Sequence, residues 1–302
     1  MPDQVLQNLP CQEIFDLAYA GLSENQKLDL YLPLDRPGPY PLLILVHGGA
    51  FMGGDKRSSM LFPSKFASEA LQNGYALASL NYRLSWEALF PACVQDVKAA
   101  VRWLRAHADE YRLDPGRFAA WGDSAGGYLV AMLGTSGGVP ELEGAGQGNA
   151  DYSSQVQAVI DWYGPIDFLT MDVQLAEIGL ALPPGEEHDR PESPESLLMG
   201  FPIQEAPEKV QEANPMTYLG RALPPPPFLI YHGTRDHLIA VRQSQDLAAA
   251  LLPYLWADRL ILDDCMPVDH GGEPDFYLPG NRERMLRFLD QSLNIQRGLR
   301  NV

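Results

Sequence analysis

Trp121-Gly122-Asp123-Ser124-Ala125-Gly126-Gly127 places a serine inside Gly-x-Ser-x-Gly. The apolar run at 117–121 before it reads as a short buried strand, and 128–133 after it continues as a helix. A strand that turns into a helix within two residues forces the middle residue into a strained backbone conformation, and only small neighbours at Gly122 and Gly126 let the chains pass. This is the context of a nucleophile elbow, which holds a hydroxyl away from the backbone at the positive end of a helix dipole. The plainer reading is a glycine-rich turn whose serine caps a helix.

Working outward, strands and helices alternate. Residues 14–19 and 27–32 interleave polar and apolar side chains, as half-exposed antiparallel strands at a sheet edge do. After the turn at Pro37-Gly38-Pro39, residues 42–46 are apolar on both faces, which suits a central strand covered on each side. Segments 75–80, 156–160, 228–231 and 260–262 read the same way. Between them lie helical patterns, clearest at 93–104, with apolar residues three and four apart. The pattern predicts an α/β protein with a mostly parallel sheet, helices on both faces, and its site at the carboxyl ends of the strands. Residues 138–154 read as a surface loop. Residues 165–226, rich in Pro and Glu, read as an insertion after the sixth strand, within one domain spanning 1–302.

Composition narrows the function classes. The 302 residues carry 22 Lys+Arg against 39 Asp+Glu, a formal charge of -17, so phosphate backbones and anionic lipid surfaces are repelled. No nucleic-acid or membrane partner is expected. The first eight residues lack a basic stretch followed by an apolar one, and no uncharged apolar run reaches the length of a membrane span, so a cytoplasmic location is expected. Cys11, Cys93 and Cys265 are far apart, and no His, Asp or Glu cluster has metal-ligand spacing, so neither a metal nor another cofactor is expected.

Further parts follow other strands. His47-Gly48-Gly49-Ala50-Phe51-Met52-Gly53-Gly54 comes directly after the central strand and can turn bare backbone N–H groups toward an oxyanion. Asp236 lies in the loop after 228–231, and His270 in the loop after 260–262. The chain order Ser, Asp, His is that of the α/β-hydrolases. Each has a plainer rival: Asp236 as the cap of a helix near Ile239, His270 as an exposed loop residue. Asp263, Asp264 and Asp269 are weaker candidates for the acid.

Together, His47-Gly48-Gly49-Ala50-Phe51, Asn81-Tyr82-Arg83-Leu84, Gly122-Asp123-Ser124-Ala125-Gly126-Gly127, His232-Gly233-Thr234-Arg235-Asp236 and Asp269-His270-Gly271-Gly272 resemble an α/β-hydrolase esterase. So does the stretch from Ser193 to Gly200. The similarity is strongest to the bifunctional feruloyl and acetyl-xylan esterases, neighbours of the hormone-sensitive-lipase-like carboxylesterases. The resemblance implies a catalytic set of Ser124, Asp236 and His270, with an oxyanion hole of Gly49, Ala50 and Ala125. It implies hydrolysis of short-acyl or aryl esters on small or saccharide-linked substrates through an acyl-enzyme. Ala50 stands where the family usually has a third glycine. Only about a dozen residues precede the first strand, so the insertion is expected to do the work of a lid. Phe51, Trp86, Trp162 and Tyr163 follow strand ends and are candidate aromatic walls, with plain core packing as the alternative. An arylformamidase or another amide hydrolase on the same triad is the competing reading, and a homo-oligomer is compatible with either.

Overall fold

The computed structural model describes residues 11–296 apart from positions 58, 60, 63 and 181; the N-terminal stretch read above for a leader lies outside them. An eight-stranded sheet runs in the order β1-β2-β4-β3-β5-β6-β7-β8. Its strands are β1 (Cys11–Ala18), β2 (Lys27–Pro33), β3 (Tyr40–Val46), β4 (Ala76–Leu80), β5 (Leu113–Asp123), β6 (Ala158–Trp162), β7 (Phe228–Gly233) and β8 (Leu260–Met266). β1 and β2 pair antiparallel at one edge, and β2 meets β4 antiparallel; every other pairing is parallel. This is the α/β-hydrolase fold.

The run of apolar residues in β3 explains its central place. Leu42, Ile44 and Val46 point into one core with helices Ala92–Ala106 and Ala125–Thr135. Leu43 and Leu45 point into the other, against helices Lys65–Gln72 and Pro279–Ser292. A strand buried on both faces has no polar side to present, so its sequence does not alternate. Every residue of helix Ala125–Thr135 is buried, in keeping with its apolar character all round.

β3 and β5 pair from Leu42↔Phe118 to Val46↔Gly122, so His47 and Asp123 leave the sheet side by side. The chain goes from β3 to β4 on one side and from β5 to β6 on the other. That reversal opens the crevice in which doubly wound sheets carry their sites.

One segment differs from the sequence reading. The stretch 138–154 is anchored: it contains the short helix Pro140–Glu143, Leu142 is buried, and Glu143 pairs with the buried Lys98 at 2.9 Å. The insertion is a packed layer of short helices, among them Met171–Glu177 and Pro194–Met199, which buries Ile166, Phe168, Met171, Leu198 and Ile203 in the main core.

Candidate active site

Ser124 stands between β5 and helix Ala125–Thr135 with φ 52° and ψ −122°. A Cβ on Gly122 would lie 2.1 Å from the Gly126 carbonyl oxygen, and one on Gly126 would lie 2.0 Å from that of Val46. Glycine at both places is therefore a steric requirement of the bend. The Ser124 N–H donates to the Trp162 carbonyl at 2.9 Å, fixing the turn against β6.

His270 Nε2 lies 3.2 Å from Ser124 Oγ, and its Nδ1 lies 2.8 Å from Asp236 Oδ2. Asp236 is almost fully buried. Its Oδ1 accepts the N–H groups of Leu238 and Ile239 at 2.9 and 2.8 Å, so the capping role is real and coexists with the contact to His270. The neighbouring His232 is fully buried, and its Nε2 lies 2.8 Å from the Ile239 carbonyl and 3.4 Å from Asp236 Oδ2. Both of those atoms accept, so Nε2 carries the proton and His232 donates. Burial would raise the Asp236 carboxyl, but bonds from His232 and His270 outweigh it and hold the group well below the usual carboxylate range.

The other acids near His270 are engaged elsewhere. Asp263 pairs with Arg284 and Asp264 accepts from Gln245. Asp269 takes His237 Nδ1 at 2.5 Å and the His270 backbone N–H at 2.7 Å, not the His270 ring.

The loop after β3 is held in an unusual shape. Gly49, Ala50 and Phe51 all have positive φ, at 116°, 53° and 61°. The Gly48 N–H donates to Asp123 Oδ1 at 3.0 Å, and Tyr82 donates its hydroxyl to the His47 carbonyl at 2.9 Å. Burial pushes the Asp123 carboxyl up to about 6, partly opposed by the Gly48 bond. Arg83 pairs with the buried Asp96 at 2.7 Å, so the Asn81-Tyr82-Arg83 motif braces this loop from behind. Among the described residues the Gly49 and Ala50 N–H groups have no protein acceptor, and Ala125, first in its helix, has no intrahelical one.

These groups open on a cleft of about 360 Å³ lined by Gly48, Gly49, Ala50, Gly54, Ser59, Asp123, Ser124, Tyr163, Leu238 and His270. Of the four aromatic candidates only Tyr163 is there, its ring 4.7 Å from that of His270. Phe51 is turned by its positive φ into the core, edge-on to Tyr128 at 5.3 Å. Trp162 is the last residue of β6 and not the first beyond it; the pleat sends its ring into the other core, against Tyr231 and Phe276. Trp86 is 71% exposed and outside the cleft. Ser59 and Leu238 line the cleft unforeseen. Leu238, an apolar residue two positions after the acid, was open to inference from the sequence; nothing around Ser59 marks it. No described residue of the insertion lines the cleft, contrary to the lid expected of it. Among the described residues no cluster of His, Cys, Asp or Glu is gathered to hold a metal ion, and no helix is long and apolar enough to cross a membrane.

A family model described as BD-FAE matches residues 28–251. The probable carboxylic ester hydrolase LipM of Mycobacterium tuberculosis (strain ATCC 25618 / H37Rv) is 28% identical over 232 residues, 76% of this chain and 49% of that protein. The chain thus spans about half the length of the curated relatives it matches. Among solved structures, a truncated form of a carbohydrate esterase from gut microbiota is similar with TM-score 0.82 and 27% identity, over 95% of this chain and 98% of that one. A bifunctional GH43-CE from Bacteroides eggerthii is similar with TM-score 0.80 and 30% identity, over 93% of this chain and 35% of that one.

Proposed function

The chain belongs to the BD-FAE family of esterases, and on that premise we propose that it is a serine carboxylesterase acting on short-acyl or aryl esters of acetyl or feruloyl type. The observation that carries this reading is the line Ser124 Oγ, His270 and Asp236, at 3.2 and 2.8 Å.

His270 donates Nδ1–H to Asp236, which leaves Nε2 as the acceptor toward Ser124. As the Ser124 oxygen bonds to the ester carbonyl carbon, its proton passes to Nε2 and negative charge develops on the carbonyl oxygen. The N–H groups of Gly49, Ala50 and Ala125 meet that charge, and each such donor is worth on the order of 3 kcal/mol in the transition state. The carbon–oxygen bond to the alcohol then breaks, and the alcohol leaves with the proton from Nε2. Water then bonds to the acyl carbon as it gives a proton to Nε2, the bond from that carbon to Ser124 Oγ breaks, Oγ takes the proton back from Nε2, and the acid leaves. Asp236 stays ionised throughout: four donors surround it, and its role is to hold the imidazole and stabilise its charged form.

The cleft of about 360 Å³ beside Ser124 has room for a short acyl group, which supports the short-acyl reading. Likeness to a carbohydrate esterase supports a saccharide-linked ester as the alcohol side.

The test is a panel of p-nitrophenyl esters of rising acyl length, beside methyl ferulate, acetylated xylan and N-formylkynurenine. Activity is expected to peak between acetyl and butyryl. A maximum at decanoyl or longer overturns the short-acyl reading; turnover of N-formylkynurenine with no ester cleaved replaces the esterase with an amide hydrolase.

A further inference from the structure

The cleft has few side chains that can limit what enters it. Gly48, Gly49 and Gly54 present none, and Ala50 presents a methyl. Tyr163 packs on the His270 ring, so it cannot change without disturbing that histidine. Outside the elbow and His270 two side chains remain: Ser59, with a short hydroxyl, and Leu238, a branched apolar side chain half-buried against the main core and the larger of the two.

The backbone of Leu238 is held from two sides. Its N–H donates to Asp236 Oδ1 at 2.9 Å. Its carbonyl lies 2.8 Å from Nε2 of His188, a buried residue of the insertion. A carbonyl only accepts, so that nitrogen carries the proton. The other ring nitrogen lies 3.2 Å from Oε2 of the buried Glu195, in the first turn of helix Pro194–Met199. The two atoms are poorly aligned for a hydrogen bond and meet as a close polar contact. Burial pushes the imidazole down and Glu195 more than offsets it, so the group is raised overall. The His188 N–H is tied to Asp172 Oδ1 at 3.0 Å, which links the ring to helix Met171–Glu177 as well.

We propose that Leu238 is the specificity-determining wall that closes the cleft to long acyl groups, and that the insertion sets this wall through the bond from His188 to the Leu238 carbonyl. The proposal rests on the esterase reading above. It makes the insertion a scaffold that fixes substrate size at a distance, consistent with its absence from the cleft lining. Tight, well-fixed walls discriminate by roughly tenfold or more per methylene that does not fit, and a leucine free to shift would lose that sharpness. His188 and Glu195 are positioning residues in this scheme, since neither reaches the cleft.

The experiment compares kcat/KM for p-nitrophenyl acetate, butyrate, hexanoate and octanoate in the wild type, Leu238→Ala, the pair His188→Leu with Glu195→Leu, and all three changes together. The paired change removes both buried partners and strands no charge. Leu238→Ala is expected to raise the octanoate-to-acetate ratio about tenfold or more. The pair is expected to raise it by a smaller factor, and by nothing further once Leu238 is alanine. Acetates of alcohols of increasing size are expected to keep their order in all variants. An unchanged acyl profile in Leu238→Ala overturns the wall. A shift in the alcohol series in place of the acyl series overturns its assignment to the acyl side. An equal effect of the pair with and without Leu238 overturns the link through His188. Should Leu238→Ala fail to fold, Leu238→Phe reads the same wall in reverse, with a lower butyrate-to-acetate ratio expected and an unchanged one overturning it. A wild type inert on every ester removes the esterase reading itself, which separates that failure from the others.

Discussion

The Nε2 atom of His270 stands 3.2 Å from Ser124 Oγ across 146 positions of chain. Only the sheet brings them together: β5 delivers the serine and β8 leads into the loop of the histidine, each at its carboxyl end. If the pair acts as proposed, Ser124→Ala loses on the order of a million-fold in kcat on p-nitrophenyl acetate while its melting temperature stays near that of the wild type. A variant keeping more than a few per cent of activity places the nucleophile elsewhere.

Asp236→Asn is expected to cost roughly ten-thousand-fold in kcat, because the amide leaves the imidazole without the partner that selects its tautomer. Asp263→Asn and Asp264→Asn are expected to stay within a few-fold of wild type, since each carboxylate serves an ion pair or amide away from His270. Because Asp236 is held well below the usual carboxylate range, its ionisation is complete across the range in which an esterase is assayed. Loss of activity between pH 6 and 4 therefore should not track this residue. An inactive Asp264→Asn beside a near-normal Asp236→Asn would falsify the assignment.

Gly126→Ala tests the bend. The added methyl would meet the Val46 carbonyl oxygen at 2.0 Å, a backbone atom that cannot swing aside. Loss of stability of roughly 3 kcal/mol, or failure to accumulate as soluble protein, is expected. Gly53→Ala is the control, since nothing lies within 4 Å of the Cβ it would add. Equal melting temperatures for Gly126→Ala and the wild type would mean the bend is looser than the geometry requires.

The bend was legible because Gly-x-Ser-x-Gly marks it in one short segment: Gly122 answers a clash with the Gly126 carbonyl four residues on, while Gly126 makes room for the Val46 carbonyl of β3. The parallel order of the sheet was legible for a similar reason, since strands such as β3 are apolar on both faces only when helices cover both. Contacts between distant segments were not. Whether Trp162 faces the cleft depends on where β6 ends, and a strand lying two residues later in the chain than its apolar run suggests turns that ring into the far core. Phe51 was misplaced because its orientation follows from a positive φ set by the brace of Asp123 and Tyr82. The segment 138–154 looked like a loop by composition, yet the buried Lys98 and Arg102 of helix Ala92–Ala106 need Glu143, and a charge in the core must be paired.

Asp161 supplies the last prediction. It is fully buried in β6, with Oδ1 accepting the Gly164 N–H at 3.0 Å and Oδ2 without a partner among the described residues. Burial, partly opposed by that N–H, raises its carboxyl from 3.8 to about 6. Below about pH 3.8 the group is protonated in both the folded and the unfolded chain, and it has no effect on the balance. Between there and about 6 the unfolded chain releases the proton while the folded one keeps it, so stability falls as pH rises. Above about 6 both are ionised and the cost is constant. The gap from 3.8 to about 6, at about 1.4 kcal/mol per pH unit, corresponds to on the order of 3 kcal/mol. Asp161→Asn keeps an oxygen for Gly164 and cannot ionise. Its stability by chemical denaturation, taken relative to wild type, is therefore expected to rise from pH 4 to pH 6.5 by up to that amount and then to level off. A difference that stays flat across this range would show that burial leaves the carboxyl unshifted, and one that shrinks with rising pH would show that another group meets its second oxygen and stabilises the anion.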